Sequence, residues 1–137
     1  MGNSDGRNNE RGSTAMKRLT SEQILEKALQ GTGDDPVQLQ DFLSKEVNTN
    51  PNFRIIRANN TLFFYINQGQ GNVFIMMETA DTPRDLADAL KQFKNAMRIA
   101  GFKTGTFKIE NPQMIRVYKM AGIDVHVGSD NLGTVEF

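Results

Sequence analysis

Apolar residues recur at helical spacing in two short segments near the start of the chain. In the first, Thr20 and Gln23 can form a capping box, and an apolar face runs from Ile24 to Leu29. The second segment begins at Asp35-Pro36, where proline suits the first helical position. The pattern therefore predicts two helices before the Asn/Pro-rich stretch that follows. The apolar side of the second helix consists of Val37, Leu39, Phe42, Leu43 and Val47.

Three segments in the middle of the chain have the composition of β-strands. They span residues 53–57, 61–67 and 73–79, and short turns rich in Asn and Gly separate them. This order predicts an antiparallel meander. The third segment, which reads VFIMMET, is almost continuously apolar, as is typical of a strand that is covered on both faces.

The clearest helical pattern lies in the second half of the chain. It begins with Thr82 as the cap and Pro83 at the first position, and it ends at Gly101. Its apolar residues are spaced four, three, four and three positions apart, so they form one stripe that a sheet can bury. They are Leu86, Leu90, Phe93, Met97 and Ala100.

Shorter elements complete the chain. A strand is predicted over residues 102–110, a helix from Asn111-Pro112 to Ala121, and two strands over 123–127 and 134–137. A strand-helix-strand unit joins parallel neighbours through a right-handed crossover, whereas the other strands are expected to pair as antiparallel hairpins. The fold class is therefore α/β, with a mixed sheet and helices packed on it.

The first 18 residues differ from the rest. They are mostly Gly, Asn, Ser and Arg, without aromatic or branched aliphatic residues, so alone they should be disordered. We therefore divide the chain into an arm, residues 1–18, and one domain, residues 19–137. The arm is either a flexible tail or a segment that orders on a protein partner. Its candidate contacts for a partner are the basic residues Arg7, Arg11, Lys17 and Arg18.

Composition excludes several classes of chemistry. Lys plus Arg and Asp plus Glu number 16 each, so nucleic acid is not an expected partner on bulk charge. The chain has no cysteine and a single histidine, His126, which excludes thiolate and multi-histidine metal sites, and no metal is expected. No apolar run approaches the roughly 20 residues of a membrane span, and no apolar leader is present. A cytoplasmic protein, neither secreted nor membrane-bound, is expected.

The segment from Asn111 to Ile123 resembles the GCN5-related N-acetyltransferase (GNAT) superfamily. Asn111 is followed after seven residues by Tyr118, after four more by Gly122, and then by a hydrophobic residue. The preceding amphipathic helix is also similar. The likeness spans residues 20–137 by element order and 80–127 by sequence. It implies a GNAT-like twisted mixed sheet, with the family's first strand missing and the arm in its place.

The resemblance implies roles for individual residues. Tyr118 matches the tyrosine that often protonates the departing CoA thiolate, and Glu78 matches a carboxylate that deprotonates the amine. Acetyl-CoA would be held by Thr82, Arg84 and Asn111. Each residue also has a simpler interpretation: Tyr118 packs on the sheet, Glu78 is a solvated strand end, and Asn111 caps the helix that follows.

The junction between the third strand and the long helix departs from the family. There the family has glycines whose N–H groups approach the pyrophosphate of acyl-CoA. Residues 78–84 (ETADTPR) contain no glycine, Pro83 lacks an N–H, and Asp81 would place a carboxylate where the pyrophosphate should lie.

Two hypotheses follow. The preferred one is a structural or adaptor protein that has lost its acyl-CoA site, needs no cofactor, and docks into a larger assembly through its arm. Short, divergent GNAT-like proteins of this kind occur in tailed bacteriophages, so a phage particle is the specific form of this hypothesis. The alternative is an acetyl-CoA-dependent N-acetyltransferase. Only the enzyme requires a cleft between the strands at 73–79 and 102–110, because a closed sheet would leave no space for pantetheine.

Overall fold

The segments with helical or strand patterns form the expected elements, in the expected order, in the computed structural model, which describes residues 17–137. No strand lies between residue 17 and β1, and residues 1–16 are outside the description. The helices are α1 (Ser21–Ala28), α2 (Pro36–Thr49), α3 (Pro83–Ile99) and α4 (Gln113–Met120). The strands are β1 (Phe53–Ala58), β2 (Thr61–Gly69), β3 (Asn72–Thr79), β4 (Thr104–Lys108), β5 (His126–Val127) and β6 (Leu132–Glu136).

Local capping fixes the helix starts that the sequence predicts. The side chains of Thr20 and Gln23 each accept a backbone N–H of the other residue, which completes the capping box of α1. Asp35 accepts the N–H of Val37 at the start of α2, and Thr82 accepts that of Asp85 at the start of α3. These caps satisfy N–H groups that a helix end would otherwise leave free.

The strands form one mixed sheet in the order β1-β2-β3-β4-β6-β5. Within the described residues, β3 and β4 are the one parallel pair, and α3 makes the crossover between them. The other pairs are antiparallel, as predicted. The parallel pair is short: its register runs from Asn72↔Thr104 to Ile75↔Phe107.

Each face of the sheet carries its own core. On the side of α3 and α4, Phe63 is fully buried and stacks on Phe93 with ring centroids 4.3 Å apart. On the side of α1 and α2, Phe64 packs with Ile24 and Leu25. The consecutive aromatic residues of β2 thus divide between the two cores, because strand side chains alternate.

Three sequence-based predictions need correction. Ala100 is exposed just beyond α3. On α2 only Leu43 is buried while Phe42 is 55% exposed, since the helix packs on α1 and β1 through one narrow side. The strand expected over 123–127 forms only at β5, an edge strand paired on one side.

Candidate functional site

β3 and β4 separate beyond their short paired segment. After Ile75, β3 continues to Thr79 with β2 as its partner, whereas β4 remains paired with β6 and ends at Lys108. A cleft of about 570 Å³ lies between the diverging strands. This is the open form that the enzymatic hypothesis requires. The lining includes Phe74, Met76, Glu78, Asn111, Met114 and Tyr118.

The chain beyond β4 is held on the far side of the cleft. The N–H of Ile109 donates to the carbonyl of Asn131 at 2.7 Å, which extends the contact between β4 and the turn before β6. On β6, Gly133 leaves room for the Phe107 ring, because a Cβ at this glycine would lie 2.7 Å from it. These contacts hold the β4 side of the cleft, while pairing with β2 holds the β3 side.

The cleft exposes main-chain groups of β3 that no strand pairs. The carbonyl of Gly71 accepts from Lys103 and Thr104 on the β4 side, while the N–H of Ala80 donates to Asn60 on the β2 side. Main-chain groups alternate along a strand, so those of Met77 and Thr79 face the cleft. An unpaired strand edge of this kind is a template for another amide-bearing chain.

Tyr118 lies in the cleft wall on the α3–α4 side of the sheet. Its ring is 3% exposed and stacks on Phe107 at 4.6 Å, which agrees with the packing interpretation. Tyr118 lines the cleft, and its hydroxyl makes no hydrogen bond to any group of residues 17–137. Burial raises the pKa of Tyr118 above its usual value, so the phenol stays protonated at neutral pH.

Glu78 reaches the cleft from the other face of the sheet. Its cross-strand neighbour is Leu62, which belongs to the core under α1 and α2. The carboxyl group is half-buried and accepts no hydrogen bond from the described part of the chain. Burial raises the pKa of Glu78, and the nearby charges of Glu110 and Asp34 raise it further. The site therefore combines a carboxyl of raised pKa with a buried phenol.

Asn111 and Glu110 stand at the far rim of the cleft. The helix begins at Gln113 with Pro112 at the cap position, one residue later than predicted, so Asn111 is not the cap itself. Its side chain accepts the N–H of Gln113 at 3.0 Å from the position before the cap, and it also lines the cleft. Sequence reasoning missed Glu110, which it placed inside a strand. The available signal was its position directly before Asn111-Pro112, where the strand must already have ended.

The α3 N-terminus is arranged differently from expectation. Thr82 caps the helix and Arg84 is exposed in its first turn, but neither lines the cleft. Asp81, expected where an anion would bind, turns toward β2 instead. Its carboxylate accepts from the N–H of Asn60 at 3.0 Å and from the hydroxyl of Thr61 at 2.7 Å.

The basic residues of the arm are only partly described. Lys17 and Arg18 are exposed, and the carbonyl of Lys17 accepts from the side chain of Asn60 at 2.7 Å. Leu19 is buried and its N–H donates to the same side chain at 2.9 Å, so Asn60 holds the chain on both sides of Arg18. Arg7 and Arg11 lie outside the described residues.

The described residues, 17–137, contain neither a metal-binding cluster nor a membrane-spanning helix. No group of three or more His, Asp or Glu side chains is placed to hold a metal ion there, and His126 is exposed on β5. None of the helices in this range has the length and hydropathy to cross a membrane.

Comparison with known proteins yields structural matches only. No protein-family model matches the chain, and no curated protein matches it. The F149A mutant of spermidine N-acetyltransferase SpeG from Vibrio cholerae aligns over 90% of this chain and 94% of its own, with a TM-score of 0.57 at 9% identity. A putative GNAT-family acetyltransferase from Desulfovibrio desulfuricans aligns over 85% and 89%, with a TM-score of 0.56 at 10% identity.

A third solved structure was determined with a ligand. Campylobacter jejuni N-acetyltransferase PseH, in complex with acetyl coenzyme A, aligns over 87% of this chain and 92% of its own, with a TM-score of 0.53 at 11% identity. The chain therefore has the GNAT fold, as the resemblance implied. At such identities the likeness shows the fold, and the activity has to be argued from the site.

Proposed function

We propose that the protein is an acyl-CoA-dependent N-acyltransferase. The observation that carries this proposal is the divergence of β3 and β4, which opens a cleft between Glu78 on one face of the sheet and Tyr118 on the other. A purely structural sheet gains nothing from a separated parallel pair, since each separated residue forfeits main-chain hydrogen bonds. We therefore place the enzyme before the structural role that the sequence of residues 78–84 favours.

The cleft suits the pantetheine arm of coenzyme A. That arm is a narrow chain with two amide groups, and the unpaired main-chain groups of Met77 and Thr79 can pair with them as a strand would. Among the similar structures, PseH holds acetyl coenzyme A. Acetyl-CoA is therefore the cosubstrate that we propose.

Glu78 and Tyr118 act on different atoms during acyl transfer. Glu78 accepts the proton of the attacking amine as its nitrogen bonds to the acyl carbon and the carbon–sulfur bond breaks. Tyr118 donates a hydrogen bond to the departing sulfur. Full proton transfer from this phenol to a thiolate is uphill, because burial raises the pKa of Tyr118 from its usual value, which already exceeds the thiol value of about 8.5. The thiolate therefore takes its proton from Glu78 or from water.

The phosphate end of acyl-CoA is held less well. Glycine is absent from the junction before α3, Pro83 has no N–H, and the Thr82 hydroxyl already engages the N–H of Asp85. What remains for an anion is the positive end of the helix dipole and Arg84. We expect acetyl-CoA to bind mainly through its pantetheine arm.

Thermal unfolding with acetyl-CoA tests the proposal, with ATP as the control ligand. Acetyl-CoA at about 100 times its Kd adds about 2.7 kcal/mol, a shift of several degrees. Met114→Trp should abolish the shift, because Met114 lines the cleft. Met120→Trp adds the same ring at the exposed end of α4 and should retain it. Equal responses to acetyl-CoA and ATP, or no response, would reject the proposal.

A second candidate function is a structural or adaptor component of a larger assembly, such as a phage particle. The observation that favours it is the α3 N-terminus, which lacks glycine and offers few free N–H groups to a pyrophosphate. Protein partners would then bind the arm through Arg7, Arg11, Lys17 and Arg18. Trypsin should cut the arm in the isolated protein and leave it intact in the assembly. Equal cleavage in both would reject the adaptor.

A further inference from the structure

β1 is the long edge of the sheet, and its outer side pairs with no other strand of residues 17–137. It is six residues long and runs beside β2 in unbroken register, whereas β5 at the opposite edge has two residues. Folded proteins protect long edge strands with bulges, prolines or outward charges, because unpaired main-chain groups attract another strand. β1 contains neither a bulge nor a proline. It is therefore the edge of this sheet that can accept a further strand.

The hydrogen bonds to β2 determine which main-chain groups of β1 face outward. The N–H of Asn67 donates to the carbonyl of Asn52 at 2.8 Å, in the same register that pairs β1 with β2. Main-chain groups alternate in direction along a strand, so every second residue after Asn52 also bonds to β2. The residues between them present their N–H and carbonyl groups to the open side. These residues are Phe53, Ile55 and Arg57.

One of these three residues is already satisfied. The N–H of Phe53 donates to the carbonyl of Asn50 at 3.1 Å, and its own carbonyl accepts from Arg54 Nη1 at 2.8 Å. The main-chain groups of Ile55 and Arg57 that face outward have no partner in residues 17–137. The Arg57 side chain does not cover them, because its guanidinium donates to a carbonyl of the β1–β2 turn. The open part of the edge is thus confined to Ile55 and Arg57.

We infer that β1 pairs with β1 of a second copy of this chain, antiparallel and about a twofold axis through Ile56. Ile55 of each copy then lies opposite Arg57 of the other, and every free N–H of these residues meets a free carbonyl. Such an interface is isologous, since both copies contribute the same residues to it. It joins two six-stranded sheets into one.

Neighbouring registers are less favourable. An axis through Ile55 would place Arg57 opposite Phe53, whose main-chain groups are occupied. An axis through Arg57 would place two arginines directly opposite each other, and like charges in that position are destabilising. The register centred on Ile56 is therefore the one in which the free groups match.

The same register brings opposite charges together. Arg54 is exposed on the α3 side of the sheet, as its cross-strand neighbour Tyr65 shows, and it lies opposite Ala58 of the second copy. Ala58 is followed by Asn59, whose side chain donates to the carboxylate of Asp88 at 3.1 Å. Within residues 17–137 Arg54 donates through Nη1 alone, so its other nitrogens are free to bind Asp88 of the second copy. The twofold axis repeats this contact.

The arm is the other candidate for this edge. It lies nearby, because the carbonyl of Lys17 accepts from Asn60 in the β1–β2 turn. Residues 1–16 include no aromatic residue, valine or isoleucine, so they would form a poor strand. β1 has two consecutive isoleucines, and Ile55 is 37% exposed at this edge. A second copy therefore covers the edge better than the arm does.

Sedimentation of the full chain tests whether this dimer forms. The average mass should rise from 15.3 kDa toward twice that value between low micromolar and near-millimolar concentrations, because an interface of one strand pair is small and weak. Ile55→Lys should weaken the dimer at least about tenfold, since it places a lysine opposite each Arg57. Val127→Lys is the matched control, because Val127 is also an exposed β-branched residue but lies on β5, at the other edge. It should dimerise like the wild type.

Disulfide formation tests the register. The chain has no cysteine, so a single introduced thiol reports on its own position. Ile56→Cys should form a dimer-linking disulfide under mild oxidation, because directly opposite residues in a pair without mutual hydrogen bonds have Cα atoms about 4.5 Å apart. Ile55→Cys is the control: its side chain is more exposed, but its two copies lie on a diagonal, about 7–8 Å apart, which is too far for a disulfide.

The outcomes decide between the two candidates for this edge. A wild type that stays monomeric at near-millimolar concentration would overturn the inference and leave the arm as the candidate. A dimer that survives Ile55→Lys, or that both lysine variants weaken equally, would place the interface elsewhere. Faster cross-linking through residue 55 than through residue 56 would reject the axis at Ile56. Because β2 separates β1 from β3 and the cleft, none of these results depends on acetyl-CoA.

Discussion

Glu78 and Asp81 lie only three residues apart, yet Asp81 belongs to a closed region whose polar groups are paired and Glu78 to an open cleft whose polar groups are not. Burial raises the pKa of both carboxyl groups. Asp81 accepts hydrogen bonds from Asn60 and Thr61 and closes the β1–β2 turn onto the end of β3. Glu78 accepts none from the described chain and faces a cleft. A raised pKa therefore does not distinguish the two, whereas the state of the hydrogen-bond partners does.

The closed region is also linked further. The Thr79 hydroxyl bonds to that of Thr61 and accepts the N–H of Asp81, while Arg57 donates to Asn60. In a network whose members are paired, removal of one member leaves others buried and unsatisfied. The cleft contains groups that are already unpaired, so removal of one costs little stability. Stability and activity should thus respond in opposite ways to changes in the two regions.

The largest expected effect is on activity. Glu78→Gln should lower kcat/KM for acetyl transfer from acetyl-CoA to an amine acceptor by about 10²- to 10⁴-fold, the usual contribution of a general base. Thiol release measures the rate. The thermal shift with acetyl-CoA should persist, because the amide keeps the shape of the side chain. A rate within threefold of that of the wild type would remove Glu78 from the mechanism.

The next effect is on stability. Asp81→Ala should lower the free energy of unfolding by about 2–3 kcal/mol, because the buried donors of Asn60 and Thr61 lose their acceptor. Urea denaturation measures this loss. Asp124→Ala, at an exposed position after α4, is the control and should change stability by less than about 0.5 kcal/mol. Equal stabilities for the two variants would mean that the network around Asp81 is unimportant.

The sequence predicts those features of the fold that depend on neighbouring residues in the chain. The cap at Thr82, the stripe of α3 and the motif from Asn111 to Tyr118 all depend on residues within a few positions of each other, and the structure retains them. The position of Glu78 near the end of a strand follows from the same local pattern. The apolar run of β3 predicts burial on both faces, but this prediction is wrong at Met76, which is 38% exposed and lines the cleft.

The cleft itself depends on contacts that no local pattern records. It exists because Lys108 pairs with Leu132 and Ile109 bonds to Asn131, which holds the end of β4 away from β3. The orientation of Asp81 depends on Asn60, 21 residues earlier in the chain. The same carboxylate appeared from sequence to obstruct an anion, since its partner could not be identified there.

A smaller effect concerns the pH dependence of stability. The pKa of Glu78 is raised in the folded state, so folding of the wild type is most favourable while this carboxyl is protonated. The free energy of unfolding then falls as the pH rises through the raised pKa. Glu78→Gln removes that loss. The variant should therefore match the wild type below about pH 4, where an ordinary carboxyl is protonated, and exceed it at neutral pH. Thermal unfolding from pH 4 to 8 tests this, and a constant difference would contradict it.

The smallest effect should come from Tyr118→Phe. Its hydroxyl is buried without a protein partner in residues 17–137, so its removal leaves no other group unsatisfied, and the stacking on Phe107 remains. We expect the free energy of unfolding to change by less than about 0.5 kcal/mol or to rise slightly, which would make the variant marginally more stable. Turnover should fall nonetheless, because the departing sulfur loses its donor. A destabilisation as large as that of Asp81→Ala would show that the hydroxyl has a structural partner, and the contrast between the two regions would fail at this residue.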